Sequence, residues 1–288
     1  MYDQAEALRL RMLKSQGKMA RSTAIISGKG GVGKSNFTAN FSYSLLAKGK
    51  KVLIVDMDIG MGNIHILFGA TPNYNLKDYL NGLQGLYEVI TPVEEGLAFI
   101  AGGSGLETVL EWSKPMFDRL IDGFSILQTE YDVILFDMGA GATKSSIDLI
   151  LAVDEIILIS TPEPTSITDA YSMMKFICMQ DADKTFHIVN NRVMKEEEGR
   201  DSVARLQLAM RKFLSAESNI LGFLPDDINV RNAVIAQIPF VKMYPNSQIS
   251  KRMKEIAETY LLGEQPGTSI ETSGFLEKIK SIFQKGRG

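Results

Sequence analysis

An α/β fold, with a predominantly parallel central sheet covered by helices on both faces, is predicted by three features of the sequence. Its short apolar runs are continuous rather than alternating, as in strands buried on both faces. Helical patterns lie between many of these runs, and such β-α alternation implies right-handed crossovers. The spacing stays regular from residue 21 to residue 262, so this stretch reads as a single domain.

In chain order the runs are Thr23–Ile26, Val52–Val55, Leu97–Ile100, Val133–Phe136, Ile156–Ile159 and Phe186–Val189, with Ile220–Phe223 a weaker one. Asn36–Lys48, Pro115–Thr129 and Ser166–Asp181 carry helical patterns between them. Residues 1–20 precede the domain. Within them Tyr2 to Ser15 reads as a short helix, with Asp3 as N-cap and Ala5, Leu8 and Met12 on one face, followed by a linker. Residues 263–274 are rich in Gly, Ser, Thr and Pro and read as a flexible linker. Residues 275–288 form a last segment, helical in pattern over Phe275–Lys285.

Composition removes several classes. The formal net charge of −3 over 288 residues does not suit a globally basic nucleic-acid binder, and nucleic acid is not an expected partner. The single cysteine, Cys178, can form no internal disulfide, and no Cys/His cluster has metal-ligand spacing. Cys178 lies in the apolar stretch Met173–Met179 and reads as a buried thiol. Residues 1–20 are too polar for a secretory signal, and no run has the ~18 apolar residues of a membrane span. The expected compartment is the cytoplasm.

The strongest chemical signal is Gly28-Lys29-Gly30-Gly31-Val32-Gly33-Lys34-Ser35, which fits G-x-x-x-x-G-K-[ST] without a gap. It follows one apolar run and opens a helical pattern at Ser35 and Asn36. Glycines let the backbone curl so that its N–H groups face phosphate oxygens. The helix N-terminus adds partial positive charge. Lys34 can reach the β- and γ-phosphates of ATP, and the Ser35 hydroxyl can ligate Mg²⁺.

Carboxylates follow at strand ends, where open α/β sheets gather ligand groups. Val133–Phe136 ends in Asp137, which would hold Mg²⁺ through water. Val52–Val55 ends in Asp56-Met57-Asp58. Asp56 is a candidate for the Mg²⁺ shell, with a cap on the next turn as its alternative. Asp58 stands two residues beyond Asp56, at the same strand end.

On a helical wheel Phe275, Leu276, Ile279, Ile282 and Phe283 fall within an arc of about 120°, with Lys278, Lys280 and Lys285 outside it. A detached helix of this kind suits an anionic membrane surface. A helix docked on the protein's own core is the alternative.

The second lysine of the loop, Lys29, resembles the deviant Walker A signature of the MinD/ParA class of P-loop ATPases. That resemblance implies an ATP-dependent homodimer in which Lys29 reaches the partner's nucleotide, and ATP hydrolysis to ADP. It implies catalytic roles for Lys29 and Lys34 in the phosphate loop, and it makes Asp56 to Gly60 a first switch region in which Asp58 orients the attacking water. Asp137 to Gly141 resembles the second switch, where the Gly141 N–H senses the γ-phosphate. The family's commoner form is D-x-P-A-G, and here Gly139 stands where its proline would be. Asn191 resembles the adenine reader, and Pro225-Asp226-Asp227 with Arg231 a second base-contacting loop. Glu163 matches a contact to the partner's nucleotide.

Asp3-Gln4-Ala5-Glu6-Ala7-Leu8-Arg9 resembles the D-Q-A-x-x-L-R element of the flagellar branch of this class, called FlhG, FleN or YlxH. In that branch the segment, here Asp3, Gln4, Ala5, Leu8 and Arg9, contacts the FlhF-type GTPase and stimulates it. Some members also bind flagellar C-ring switch proteins, and the branch helps set flagellar number and position. The implied location is the inner face of the cell membrane, reversibly. The alternatives are a cell-division-site MinD, which lacks the N-terminal element, and a ParA-type segregation ATPase, which usually lacks the membrane tail. A cluster-carrying relative needs paired cysteines.

Overall fold

A computed structural model of the chain describes residues 19–58, 62–103, 113–139, 144–263, 275, 278 and 279. Among them the strands are β1 (Arg21–Ile26), β2 (Val52–Asp56), β3 (Ile90–Glu94), β4 (Leu97–Ile100), β5 (Val133–Asp137), β6 (Glu155–Ser160), β7 (Thr185–Val193) and β8 (Ser218–Pro225). The helices are α1 (Lys34–Leu46), α2 (Ile64–Leu67), α3 (Leu76–Leu80), α4 (Lys114–Glu130), α5 (Lys144–Ala152), α6 (Pro164–Cys178), α7 (Glu196–Leu214), α8 (Ile228–Ala236), α9 (Phe240–Met243) and α10 (Gln248–Leu262).

One eight-stranded sheet runs in the order β3-β4-β2-β5-β1-β6-β7-β8. Every pairing is parallel except β3 with β4. The continuous apolar runs have a direct cause. Ala24 and Ile26 of β1 point into one core while Ile25 points into the other, and Leu53/Val55 and Ile54 of β2 divide likewise. Helices α3, α4, α5, α6 and α7 close the first core. Helices α1, α2, α8, α9 and α10 close the second. A strand with two buried faces has no polar face to alternate with.

Helix starts follow local chemistry. Ser113 caps α4 by accepting from the Met116 N–H, and Ser247 caps α10 in the same way through Ser250. Asn75 and Asp78 form a reciprocal capping box on α3. Strand β3 was not among the predicted runs. Its sequence, ITPVE, is half-exposed and carries Pro92, which an edge strand tolerates.

The tail departs from the membrane-helix expectation. Phe275 and Ile279 are 1% and 4% exposed and belong to the first core. The Phe275 ring stacks on Phe136 with centroids 5.4 Å apart and meets Phe124 edge-on at 5.6 Å. This is the docked alternative: an apolar stripe that fits lipid also fits an aromatic pocket between sheet and helix. Lys278 lies at the margin, partly buried. Leu276, Ile282 and Phe283 lie outside the described residues, as do Asp3, Gln4, Ala5, Leu8 and Arg9.

Candidate functional site

Chain order reverses across the sheet at β1, which sits between β5 and β6. Such a reversal opens a crevice at the carboxyl ends of the strands. The Gly28–Ser35 loop lies there, between β1 and α1. Gly31 and Gly33 take φ values of 77° and 98°, which favour glycine. At Gly28 a Cβ would meet the Asp169 backbone at 2.1 Å, so α6 packs directly on the loop. Gly33 is the N-cap of α1 and supplies no side-chain cap, leaving the first helical N–H groups for phosphate oxygens. Lys34 is buried to 8% exposure.

Three carboxylates converge beside the loop. Asp56 and Asp137 are register partners on adjacent strands, and both are buried. Burial raises the Asp56 pKa to about 8, and the charge on Asp137 raises it further toward that value. Burial also raises Asp137, to about 6, against hydrogen bonds from Ser35 and Thr38 and the charge of Lys34. Asp58 stands beside the next loop, its Oδ1 3.4 Å from where a Gly139 Cβ would lie.

This donor set fits a magnesium ion. Its members are oxygens, the Ser35 hydroxyl already faces the Asp137 carboxylate, and Lys34 is the cation beside Asp137. Among the described residues no group of three or more His, Cys, Asp or Glu could hold a metal ion by itself. Mg²⁺ suits such an open arrangement, because it keeps waters and takes ligands from phosphate.

Other predicted residues are placed as follows. Asp56 is turned toward its own loop: Oδ1 accepts from the Asp58 N–H at 3.0 Å and Oδ2 from the Ile64 N–H at 3.4 Å. That is the turn-capping alternative, and it leaves Asp137 as the carboxylate that faces Ser35. Lys29 is held within its own chain, 3.2 Å from Glu163 Oε2 and 3.4 Å from Thr165 Oγ1. Asn191 Nδ2 donates to the Val32 carbonyl at 2.8 Å, so the turn after β7 is tied to the phosphate loop. The next residue, Arg192, takes a left-handed φ of 57°.

The residues expected to form a second base-contacting loop are more dispersed. Asp227 caps α8 by accepting from the Asn229 N–H at 2.9 Å, so its carboxylate is occupied. Pro225 ends β8 opposite Val193, and the Asp226 N–H donates to the Val193 carbonyl. Arg231 lies exposed on α8. Asn36 accepts from the Asn40 amide one turn along α1. Gly141 lies outside the described residues.

Two contributors were missed. Thr38 hydrogen-bonds Asp137, and its spacing of three residues from Ser35 could have marked it. Thr165 touches Lys29 from 136 residues away, and no local pattern signals such a contact.

The ParA family, described as NUBPL iron-transfer P-loop NTPase, matches residues 18–261. Antiactivator FleN of Pseudomonas aeruginosa is 32% identical over 248 residues, covering 85% of this chain and 89% of FleN. Flagellum site-determining protein YlxH of Helicobacter pylori is 36% identical over 268 residues, covering 91% of this chain and 88% of YlxH. Among solved structures, the septum site-determining protein MinD of Pyrococcus horikoshii, complexed with Mg-ADP, superposes with a TM-score of 0.67. It is 27% identical and covers 85% of this chain and 98% of that one.

Proposed function

The chain belongs to the ParA/MinD family of P-loop NTPases, and on that premise we propose that it is an ATP-timed dimer switch of the flagellar branch. ATP-binding and ATPase chemistry come with the family. The iron-transfer description does not extend to this chain's residues: cluster carriage uses paired thiolates, and the one cysteine is buried on α6.

In this reading the phosphate-loop N–H groups and Lys34 hold the triphosphate. Ser35 and Asp137 hold Mg²⁺, which neutralises charge on the phosphates when bound. Asp58 orients the attacking water, and a proton from that water passes toward its carboxylate. Asn191 favours adenine. One of its two amide N–H groups is held by Val32, and Oδ1 stays open as an acceptor for the base's exocyclic amino group.

The observation that carries the switch is the Lys29–Glu163 pair. Both side chains are largely exposed, and exposed pairs contribute only about 0.2–1 kcal/mol. Lys29 can therefore leave Glu163 cheaply for a partner's nucleotide, and Glu163 is freed at the same face. Hydrolysis removes the γ-phosphate and ends the dimer.

Membrane cycling would use Phe275, Leu276, Lys278, Ile279, Ile282 and Phe283. Phe275 and Ile279 must first leave the core, so membrane attachment competes with docking. Two tails in one dimer gain effective concentration that one lacks. The N-terminal segment with Asp3, Gln4, Ala5, Leu8 and Arg9 would address an FlhF-type GTPase and stimulate it, and C-ring switch proteins are further partners of this reading. Regulation of flagellar number and placement follows.

The test is solution mass by light scattering. Asp58→Ala should dimerise with ATP and not with ADP, and adding Lys29→Ala should return it to monomer. An Asp58→Ala protein that stays monomeric with saturating ATP would sink the switch. Capture of an FlhF-type GTPase that survives deletion of residues 1–18 would sink the assignment of that segment.

A further inference from the structure

Thr38 lies on α1 one turn beyond Ser35 and is fully buried. Its hydroxyl has a single proton and two acceptors in reach. One is the Lys34 carbonyl at 3.0 Å, and the other is Asp137 Oδ1, also at 3.0 Å. The carbonyl is the one that α1 geometry already supplies with the Thr38 N–H. A carboxylate is the stronger acceptor, since hydrogen bonds to charged groups are roughly twice as strong as neutral ones. Asp137 is itself 1% exposed, so water cannot replace a lost donor there.

Helix α1 therefore addresses Asp137 twice, through Ser35 and through Thr38. The two hydroxyls are not equivalent. A Ser35 oxygen that ligates magnesium still has a proton to share, but its position is then set by the ion. Thr38 stands a turn away from the phosphate loop, and its bond to Oδ1 is independent of any ligand. It fixes the plane of the carboxylate before an ion arrives. Rotation of Asp137 would break that bond with no replacement.

We propose that Thr38 is a positioning residue, whose hydroxyl orients the Asp137 carboxylate and so sets the affinity for magnesium in the nucleotide complex. The inference rests on the ATPase reading above and goes beyond it. Thr38 touches neither nucleotide nor metal. It acts through Asp137, and it should alter the magnesium requirement far more than nucleotide affinity itself.

The experiment is binding of fluorescent mant-ADP to the full chain, titrated with MgCl₂ and repeated in EDTA, so that turnover plays no part. Thr38→Val keeps the shape and removes the hydroxyl. Losing a hydrogen bond to a charged group should raise the magnesium half-saturation about tenfold or more. Affinity in EDTA should stay within about twofold of wild type, and Thr38→Ser should restore the magnesium response. Should the valine variant fail to fold, Thr38→Ala against Thr38→Ser makes the same comparison.

A hydroxyl-free variant with wild-type half-saturation overturns the inference. So does a parallel loss of EDTA affinity and melting temperature that serine does not restore, because that marks a packing role. Wild-type protein whose nucleotide affinity ignores magnesium overturns the metal reading itself, a result distinct from an unchanged variant on a responsive wild type.

Discussion

The two ends of the central strands both bury charge, but in opposite company. At the amino ends, Arg21 of β1 pairs with Glu155 of β6, and His187 Nε2 of β7 stands 3.5 Å from the same carboxylate. The Arg21 guanidinium also lies over the Tyr260 ring at 4.0 Å. Asp154 takes bonds from the Ser22 N–H at 2.8 Å and hydroxyl at 2.5 Å. Lys184 donates to the carbonyls of Leu151 and Val153. At the carboxyl ends, Asp56, Asp58 and Asp137 crowd together with Lys34 as the neighbouring cation.

The protonation equilibria record the difference. Burial alone would raise Glu155, but bonds and charges from His187 and Arg21 outweigh it and lower its pKa. Burial raises Asp56 and Asp137, and for Asp56 like charge adds to it. Burial also raises Asp154 at the structural end, so direction alone does not separate the two regions. The company does: like charges crowd around Lys34 at one end, while at the other Glu155 meets Arg21, although its Oε2 and both His187 ring nitrogens have no hydrogen-bond partner among the described residues.

The largest effect expected is on turnover. Asp58→Ala should lower ATP hydrolysis by about 10²–10³-fold, the loss typical of a removed acid/base group, while Mg-ATP binding persists. Single-turnover hydrolysis beside equilibrium binding checks it. Unaltered turnover would break the comparison at its functional end. At the other end Glu155→Ala leaves Arg21 buried without this partner carboxylate. Stability should fall by about 3 kcal/mol, as for broken buried pairs, with nucleotide affinity unchanged. Urea unfolding beside a nucleotide titration measures both.

A smaller effect concerns pH. Asp56 has a raised pKa in the folded state, so between about pH 4 and 8 the unfolded chain ionises first. The protein without nucleotide should therefore lose stability as pH rises through that window. Asp56→Asn should flatten the slope and raise stability at pH 8 by about 1 kcal/mol, after allowance for a weakened bond to the loop N–H groups. Thermal melts from pH 5 to 8 would decide it, and an unchanged slope would show that Asp56 is not the group concerned.

Legibility in the sequence followed the same division. The parallel strands were readable because strands with two buried faces leave continuous apolar runs, as in Val52–Asp56 and Val133–Asp137. Strand β3 was not, because an edge strand with Pro92 and half-exposed side chains has no such run. The phosphate loop was readable because backbone curvature demands glycines at fixed spacing. Its surroundings were less so. Lys29 and Glu163 meet across 134 residues. Asp227 serves as a helix cap, a role that a carboxylate in a loop shares with ligand binding. The tail was ambiguous because its stripe is defined by apolarity alone, and Phe275 answers that with a core contact.

The smallest effect compares the two ends in one measurement. Closing the carboxylate cluster around a cation must release protons that burial has kept on Asp56 and Asp137. With Asp56 raised to about 8 and Asp137 to about 6, a proton is still held between them at pH 7. Binding of Mg-ADP at that pH should release about half to one proton per chain. Calorimetry in buffers of different ionisation enthalpy reads this directly. Glu155→Gln should leave the number unchanged, since its carboxylate is already ionised and paired far from the site. Asp56→Asn should reduce it, because it removes the group most strongly held in the acid form. Equal release from both variants would mean that the protons come from elsewhere, and the distinction between paired and crowded charge would fail.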